Sequence, residues 1–445
     1  MDTQAIITVS QDATMTMDLL NELITKHKKI CALRYKKLQN AYIGIYEINQ
    51  KPFATDGKPD NRIVVSFAKT LTDVMNGFFL GIPIKTTSVD DEVTEWVNNY
   101  KTRNRQDDLN SEISKLSSIF GVGYEMLYIN EESEICATYV KPTEGFMVFD
   151  DSVLHRPKFF IRYYKNADGE LVGSYSDEKV VRHFRDDLFA DEETPHYFDG
   201  VPVIEYKENE ERLGLFENVI SIINAYNKAI SEKSNDVDYF SDAYLLLLGH
   251  ELSAEDIANI RRNRVINMYG EEAAKYKAEF LVKPSADTTQ ENLLNRLEKL
   301  IYNISMVADI NNENFGSASG IAIRYRLWGM SSRAKDKERK FTAALINRYK
   351  LICSHPLCDL NDDAYKELEF TFTQNFPANI ADEANTARTL EGIVSKETQL
   401  STLSIVGDVR DEIERINEEY KLDDLGWEQN GTKSEEQNVL DKPGA

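Results

Sequence analysis

The sequence predicts an α+β protein with more than one domain. Three observations carry this. At 445 residues the chain is longer than a single hydrophobic core usually serves. Between about residues 124 and 206 the apolar residues alternate or run continuously, as in strands, whereas the stretches on either side repeat at helical spacing. After residue 215 long amphipathic patterns dominate, with few turn residues inside them. A hydrophobic content of 42% with 29% charged residues is that of a folded chain.

Residues 1–13 are polar and irregular and read as a mobile arm. From Met15 to about Tyr46 the spacing of Leu19, Leu20, Leu23, Ile24, Leu33, Leu38 and Tyr42 predicts helix. Lys51 to Asn61, with two prolines and a glycine, reads as a surface loop. Helices follow over Arg62 to Phe79, Asp90 to Tyr100 and Asp107 to Phe120, the first ended by Gly77 and Gly81-Ile82-Pro83. The period then changes. Tyr124–Ile129, Cys136–Val140, Phe146–Phe149, Lys158–Tyr164, Leu171–Tyr175, Lys179–Arg185 and Val201–Tyr206 predict a largely antiparallel set, with Asn166–Gly169 as a hairpin turn. Residues 1–213 therefore read as one α+β domain.

From Leu215 the chain turns helical, with Phe216, Val219, Ile220, Ile223, Tyr226 and Ile230 on one stripe and a polar face through Ser231 to Asp238. Residues 243–286 form a small unit. It has strands at Tyr244–Leu248, Arg264–Tyr269 and Lys277–Val282, a helix from Ser253 to about Arg262, and Arg261, Arg262 and Arg264 clustered. So small a unit has too little core to stand alone, which favours support from neighbouring copies. A helix opens at Asp287-Thr288, where Thr288 and Glu291 occupy capping-box positions, and carries Leu293, Leu294, Leu297, Leu300, Ile301, Ile304 and Val307 on one face. A polar loop of Asn311, Asn312, Glu313, Asn314, Phe315, Gly316, Ser317, Ala318 and Ser319 follows.

The next helix, from about Ile321 to Cys353, holds nine basic and two acidic residues in a chain whose formal net charge is -23. Such a local reversal of sign asks either for an anionic partner or for acidic neighbours within the fold. Beyond it, Glu367–Thr373 alternates as a strand that would return to the earlier sheet. Ala381–Val394 and Asp408–Tyr420 predict helices, and Ser395 starts another between them. The end is acidic, with eight acids and three bases between Asp408 and Asp424, and residues 425–445 read as disordered.

Three stretches resemble the portal proteins of long-tailed bacteriophages, the head–tail connectors. They are VISIINAYNKAISEKSNDVDYFSDAYLLLLG from Val219, FGSASGIAIRYRLWGM from Phe315 and SKETQLSTLSIVGDVRDEIERINEE from Ser395, in the family's order and at about its spacing. The resemblance implies a portal fold with an α/β wing (1–213), a stem helix (214–242) and a clip (243–286). A second stem helix (287–310) and a tunnel loop (311–320) would follow. A long helix returning to the wing (321–378), a helical crown (379–424) and the tail (425–445) would complete it. The implied function is a ring of twelve copies at one capsid vertex, a channel for packaging and ejection of double-stranded DNA. Asn311 to Ser319 would lie nearest the DNA, and Arg261, Arg262 and Arg264 of the clip would meet partners. Those partners would be the terminase large subunit, head-completion adaptors, scaffold and the major capsid protein. The place of action would be the virion, after assembly in the host cytoplasm.

Other chemistry finds little footing. There is no G-x-x-x-x-G-K-[ST], G-x-S-x-G or H-E-x-x-H, and no catalytic residue is assigned. The four cysteines are scattered and predict no disulfide framework. Cys353-Ser354-His355-Pro356-Leu357-Cys358 matches no common zinc spacing, so no metal or cofactor is expected. No secretory signal opens the chain, and no apolar run is long enough to span a bilayer. The residues by themselves also allow a non-pore adaptor or scaffold protein of the virion, or a nucleic-acid-processing enzyme.

Overall fold

The computed structural model describes residues 6–53, 59–241, 245–248, 277–280, 287–309, 320–375 and most of 380–419. They divide into two compact units, one of residues 1–310 with 327–375, the other of residues 311–326 with 376–445. Helices and sheets are mixed in the first, as an α+β fold requires.

The first unit is built in layers. Helix α1 (Met17–Ile30) is capped by Thr16, whose hydroxyl accepts from the Leu19 amide. It widens through a single π-type turn (Cys31–Tyr35) into α2 (Lys36–Tyr42). A six-stranded sheet runs in the order β1 (Ile7–Val9), β5 (Gly145–Asp150), β6 (Pro157–Lys165), β7 (Leu171–Ser176), β8 (Val180–Arg185) and β9 (Leu188–Pro195). All its pairings are antiparallel except β1 with β5. One face of this sheet, with Phe159, Ile161, Tyr163, Tyr175 and Phe184, packs on Leu20, Leu23 and Ile24 of α1. On the other face Met147, Phe149 and Phe160 meet Tyr124, Val140 and Val203. These belong to a three-stranded sheet of β3 (Val122–Ile129), β4 (Ile135–Val140) and β10 (Val203–Lys207). Strand β5 is therefore buried on both faces and reads as an unbroken apolar run. Helix α6 (Gln106–Phe120) backs the smaller sheet and ends at Gly121, whose φ of +87° brings its Cα so close to the Arg212 carbonyl that a Cβ would sit 1.9 Å away.

Several expectations are corrected here. Ile7–Val9 is not a mobile arm: Ile7 is buried, and the segment pairs in parallel with Val148–Asp150. Three residues are too few for a periodicity to show. Arg62 to Phe79 is not wholly helical, because α4 spans Phe67–Leu80 and residues 61–65 run extended along α7 (Ile220–Ser241). Polar side chains of α7, four residues apart, take up the extended backbone: Asn227 accepts from the Val65 amide at 2.9 Å, Ser231 from Ile63 at 2.9 Å and Asn235 from Asn61 at 2.6 Å. The polar face of that helix is thus a ladder for a neighbouring segment. Strand β9 escapes sequence reading because Asp191-Glu192-Glu193 breaks any apolar pattern, as suits an exposed edge. Glu369–Thr371 returns not to the large sheets but to a short pair with Lys85–Thr87.

The hydrophobic staple between α1 and the sheet contains a titratable group. His27 is buried, its Nε2 donating to the Pro142 carbonyl at 2.9 Å and its Nδ1 facing the Tyr163 hydroxyl at 2.8 Å, with its ring stacked on Phe146. Burial lowers its pKa from 6.5 to about 4, against the opposing pull of the Pro142 hydrogen bond. The unfolded chain then binds a proton more readily than the folded one. The neutral imidazole's contribution is complete above pH 6.5 and falls away as pH drops toward 4, by about 3 kcal/mol in all. A His27→Gln variant should lose stability at pH 7 but show a correspondingly shallower decline between pH 6.5 and 4 in urea unfolding.

Candidate functional site on the long basic helix

Helix α8 (Asp287–Ser305) lies antiparallel against α7. Lys233 pairs with Glu291, Gln290 donates to Asp236 at 3.1 Å, and Phe67 of α4 sits edge-on to both Tyr226 and Tyr302. The helix starts at Asp287, so Thr288 falls inside its first turn, and Glu291 faces Lys233 rather than closing a capping box. Met306, with φ of +56°, stops it in the left-handed conformation. The expected DNA-facing loop, Asn311, Asn312, Glu313, Asn314, Phe315, Gly316, Ser317, Ala318 and Ser319, lies outside the described residues, as do Arg261, Arg262 and Arg264. The chain is described again from α9 (Gly320–Cys353), whose residues up to Arg326 belong to the second unit and whose remainder belongs to the first.

The basic residues of α9 divide by helical face. Met330, Ala334, Lys337, Phe341, Ala344, Arg348 and Ile352 recur at three or four residues and are all buried. Two cations therefore stand on the stripe that packs against the domain. Lys337, 1% exposed, meets Glu208 at 2.8 Å and donates to the Ser114 carbonyl at 2.9 Å and the Ser118 hydroxyl at 2.7 Å. Ser117 and Ser118 of α6 also donate to Glu208. Arg333 approaches the second Glu208 oxygen at 3.9 Å and donates to the Ser305 carbonyl at the end of α8, at 3.1 Å. Eleven residues on from Lys337, Arg348 meets Glu125 of β3 at 2.8 Å and Asn110 at 2.7 Å. Glu125 also accepts from the Tyr206 hydroxyl at 2.7 Å and from Gln106 at 3.1 Å.

The electrostatics follow from burial. Desolvation pushes the Lys337 ammonium below its ordinary value, and the Glu208 carboxylate pulls it back up. Arg333 is likewise lowered by burial, with Glu208 opposing. For Arg348 burial acts downward too, but Glu125 and the surrounding tyrosines outweigh it and its net shift is upward. The solvent-facing bases are also matched: Lys335 with Glu338 at 2.8 Å, Arg339 with Asp336 at 2.7 Å, and Lys340 with Glu210. Lys340 and Lys207 together hold the Glu210 carboxyl down at about 2. Of the two partners a basic helix could ask for, these residues use acidic groups of their own chain.

The C-terminal end of α9 is a staple. Ser354 accepts from the Asp199 amide at 3.0 Å, and His355 takes the Leu357 amide at 3.1 Å on Nδ1 and lies against Phe198 with ring centroids 4.6 Å apart. Among the described residues no three or more His, Cys, Asp or Glu side chains are placed to hold a metal ion.

Sequence reasoning did not single out Glu125, Glu208, Lys337 or Arg348. The signal was present in the spacing, since Lys337 and Arg348 share the register of Phe341, Ala344 and Ile352. What the sequence lacked was any mark on their partners, which lie 223 residues away for Arg348 and Glu125.

The profile of the family described as "Phage portal protein, SPP1 Gp6-like" matches residues 21–423. The chain belongs to the phage portal protein family. That range takes in the helices α7, α8 and α9 and the segments between them. The portal protein of Bacillus phage SPP1 is 25% identical over 448 aligned residues, covering 92% of this chain and 86% of that protein. The portal protein of Clostridium phage phiCD119 is 24% identical over 233 residues, 51% of this chain and 50% of that one. The chain is thus a portal protein, a part of the virion. The resemblance first read from the three stretches above is borne out.

In this portal protein the buried pairs should be costly to break singly. Lys337→Met leaves Glu208 inside the protein with only a distant guanidinium, and should destabilise by about 3–5 kcal/mol. Adding Glu208→Gln should restore part of that, because no carboxylate is then buried without the Lys337 ammonium, while Arg333 keeps its bond to the Ser305 carbonyl. Denaturant unfolding of the single and double variants reads the difference.

Proposed function

We propose that this portal protein forms a closed ring, of twelve copies as the resemblance implies, at one vertex of the capsid. Double-stranded DNA passes through it during packaging and ejection. In this reading residues 1–213 project outward as the wing. The helices within 214–242 and 287–310 form the stem, 311–320 the tunnel loop next to the DNA, and 379–424 the crown. Residues 243–286 form the clip, with Arg261, Arg262 and Arg264 meeting the terminase large subunit and later the head-completion adaptors. Among the described residues this clip holds an antiparallel pair, Leu245–Leu248 with Lys277–Phe280. Scaffold and the major capsid protein are further partners, and assembly takes place in the host cytoplasm. The protein acts as a structural part rather than a catalyst, and no described helix is long and apolar enough to cross a membrane.

The observation that carries the ring is the apolar surface on the helices of the first unit. Val237, Leu293, Ile304 and Trp328, with Met306 just past the end of α8, are large and exposed, Trp328 by 72%. Apolar side chains at such density on paired helices need a cover, and copies of the same chain side by side supply one. The charge pattern agrees with passage rather than grip. A strongly basic bore would hold DNA through counterion release, whereas six of the nine bases of α9 are already paired with carboxylates.

Two experiments test the reading. Trp328→Asp should leave the fold intact by circular dichroism and weaken assembly, since a lost tryptophan anchor costs on the order of 2 kcal/mol per interface. Light scattering should then show smaller species than the parent ring. A parent that stays monomeric at all concentrations would instead favour a non-pore adaptor. Deleting residues 312–317 should leave the ring assembled and reduce DNA packaging, and normal packaging by the deletion would refute the loop's role.

A further inference from the structure

The six-stranded sheet is covered unevenly. On the face turned away from α1, the smaller sheet reaches Met147, Phe149 and Phe160 but stops there. Beyond it, β6 to β9 leave a groove of about 480 Å³, lined among others by Arg162, Tyr164, Ser174, His183, Arg185 and Leu188. Strand register sets out its floor. Arg162, Ser174 and His183 stand in one row across β6, β7 and β8, and Tyr164, Val172 and Arg185 in the next. The backbone positions of Arg162 and Arg185 thus stand at opposite corners, roughly 10 Å apart across the strands and 7 Å along them.

The lining contains two arginines and a histidine and no carboxylate, although the chain has 75 acidic residues to 52 basic ones. Arg162 lies over Tyr164, 5.3 Å from the ring centroid, which pre-orders it without neutralising it. Arg185 is held only loosely, with Glu170 at 3.7 Å and most of the side chain exposed. Acids flank the lining residues along the chain, Asp168 on the turn that follows Asn166 and Asp186 next to Arg185, where it accepts from the Leu171 amide at 2.9 Å. A long polyanion would meet that acidic surround, whereas a short anionic stretch could sit inside it.

We infer that this groove is a docking site for an acidic, extended segment of a partner polypeptide, its carboxylates taken by Arg162 and Arg185 and its apolar parts laid on Tyr164 and Leu188. Acidic side chains four residues apart on a strand share a face and lie about 13 Å apart, close to the diagonal of roughly 12 Å between the two arginine positions. The inference does not depend on the ring or the channel, because every residue in it belongs to one copy.

The test uses the full-length protein and a fluorescein-labelled peptide of about ten residues, glutamate alternating with threonine so that all the acids share one face. Anisotropy should show saturable binding that falls at least about tenfold in the Arg162→Ala/Arg185→Ala variant, a loss of about 1.4 kcal/mol or more. Ser174→Glu, which keeps both arginines and puts a like charge on the floor, should do the same and guards against misfolding of the first variant. A glutamine version of the peptide should bind at least tenfold more weakly. The inference is overturned if the parent protein does not bind the glutamate peptide, if either folded variant binds it as the parent does, or if the glutamine peptide binds equally. Tighter binding of labelled oligothymidylate would overturn it too, in favour of nucleic acid.

Discussion

Two cations without access to water fix the longest helix of this portal protein to its α+β domain. Lys337 reaches Glu208 and the serines of α6, and Arg348 reaches Glu125 and its hydrogen-bonded ring of Tyr206, Gln106 and Asn110. Charges in such surroundings tolerate little displacement, because a shifted partner leaves the other desolvated and unpaired. Apolar packing alone would let a helix of 34 residues slide or rotate by a residue at modest cost. Two ion pairs eleven residues apart select one rotation and one translation. Arg333 extends that definition to the end of α8 through the Ser305 carbonyl, so the anchor for one helix also registers the next.

The same economy appears elsewhere in the domain. Arg34, on the π-type turn, meets Glu217 through two nitrogens at 2.7 Å each and also donates to the Arg212 and Phe120 carbonyls. Arg212 in turn grips Glu205 at 2.8 and 3.0 Å. These bidentate contacts fix planes as well as positions. They gather the end of α6, the turn around residue 212 and the start of α7 at one place. A part that must keep its shape while a charged polymer is driven past gains from joints of this kind. The direction and depth of each joint come from geometry rather than from the number of charges.

Much of the element plan could be read from periodicity. The stripe Leu293, Leu294, Leu297, Leu300, Ile301 predicts α8, and the change of period after residue 120 predicts the strands, with the α+β class following from the two together. Ser395 caps its helix by accepting from the Thr398 amide. The readings that failed share a cause. Ile7–Val9 is a strand only because β5 offers an open edge, and residues 61–65 stay extended only because Asn227, Ser231 and Asn235 of a distant helix receive their amides. Local pattern carries no record of such partners.

By itself the sequence determined which segments are helix or strand, which face of each is apolar, and to which family the chain belongs, since these depend on residue spacing and on the order of motifs. It also showed that α9 is basic. That Arg348 and Lys337 serve the protein's own interior rather than a polyanion is visible only in three dimensions. Glu125 and Glu208 are far from Arg348 and Lys337 along the chain, and an ion pair is specified by the distance between its charges in the folded state.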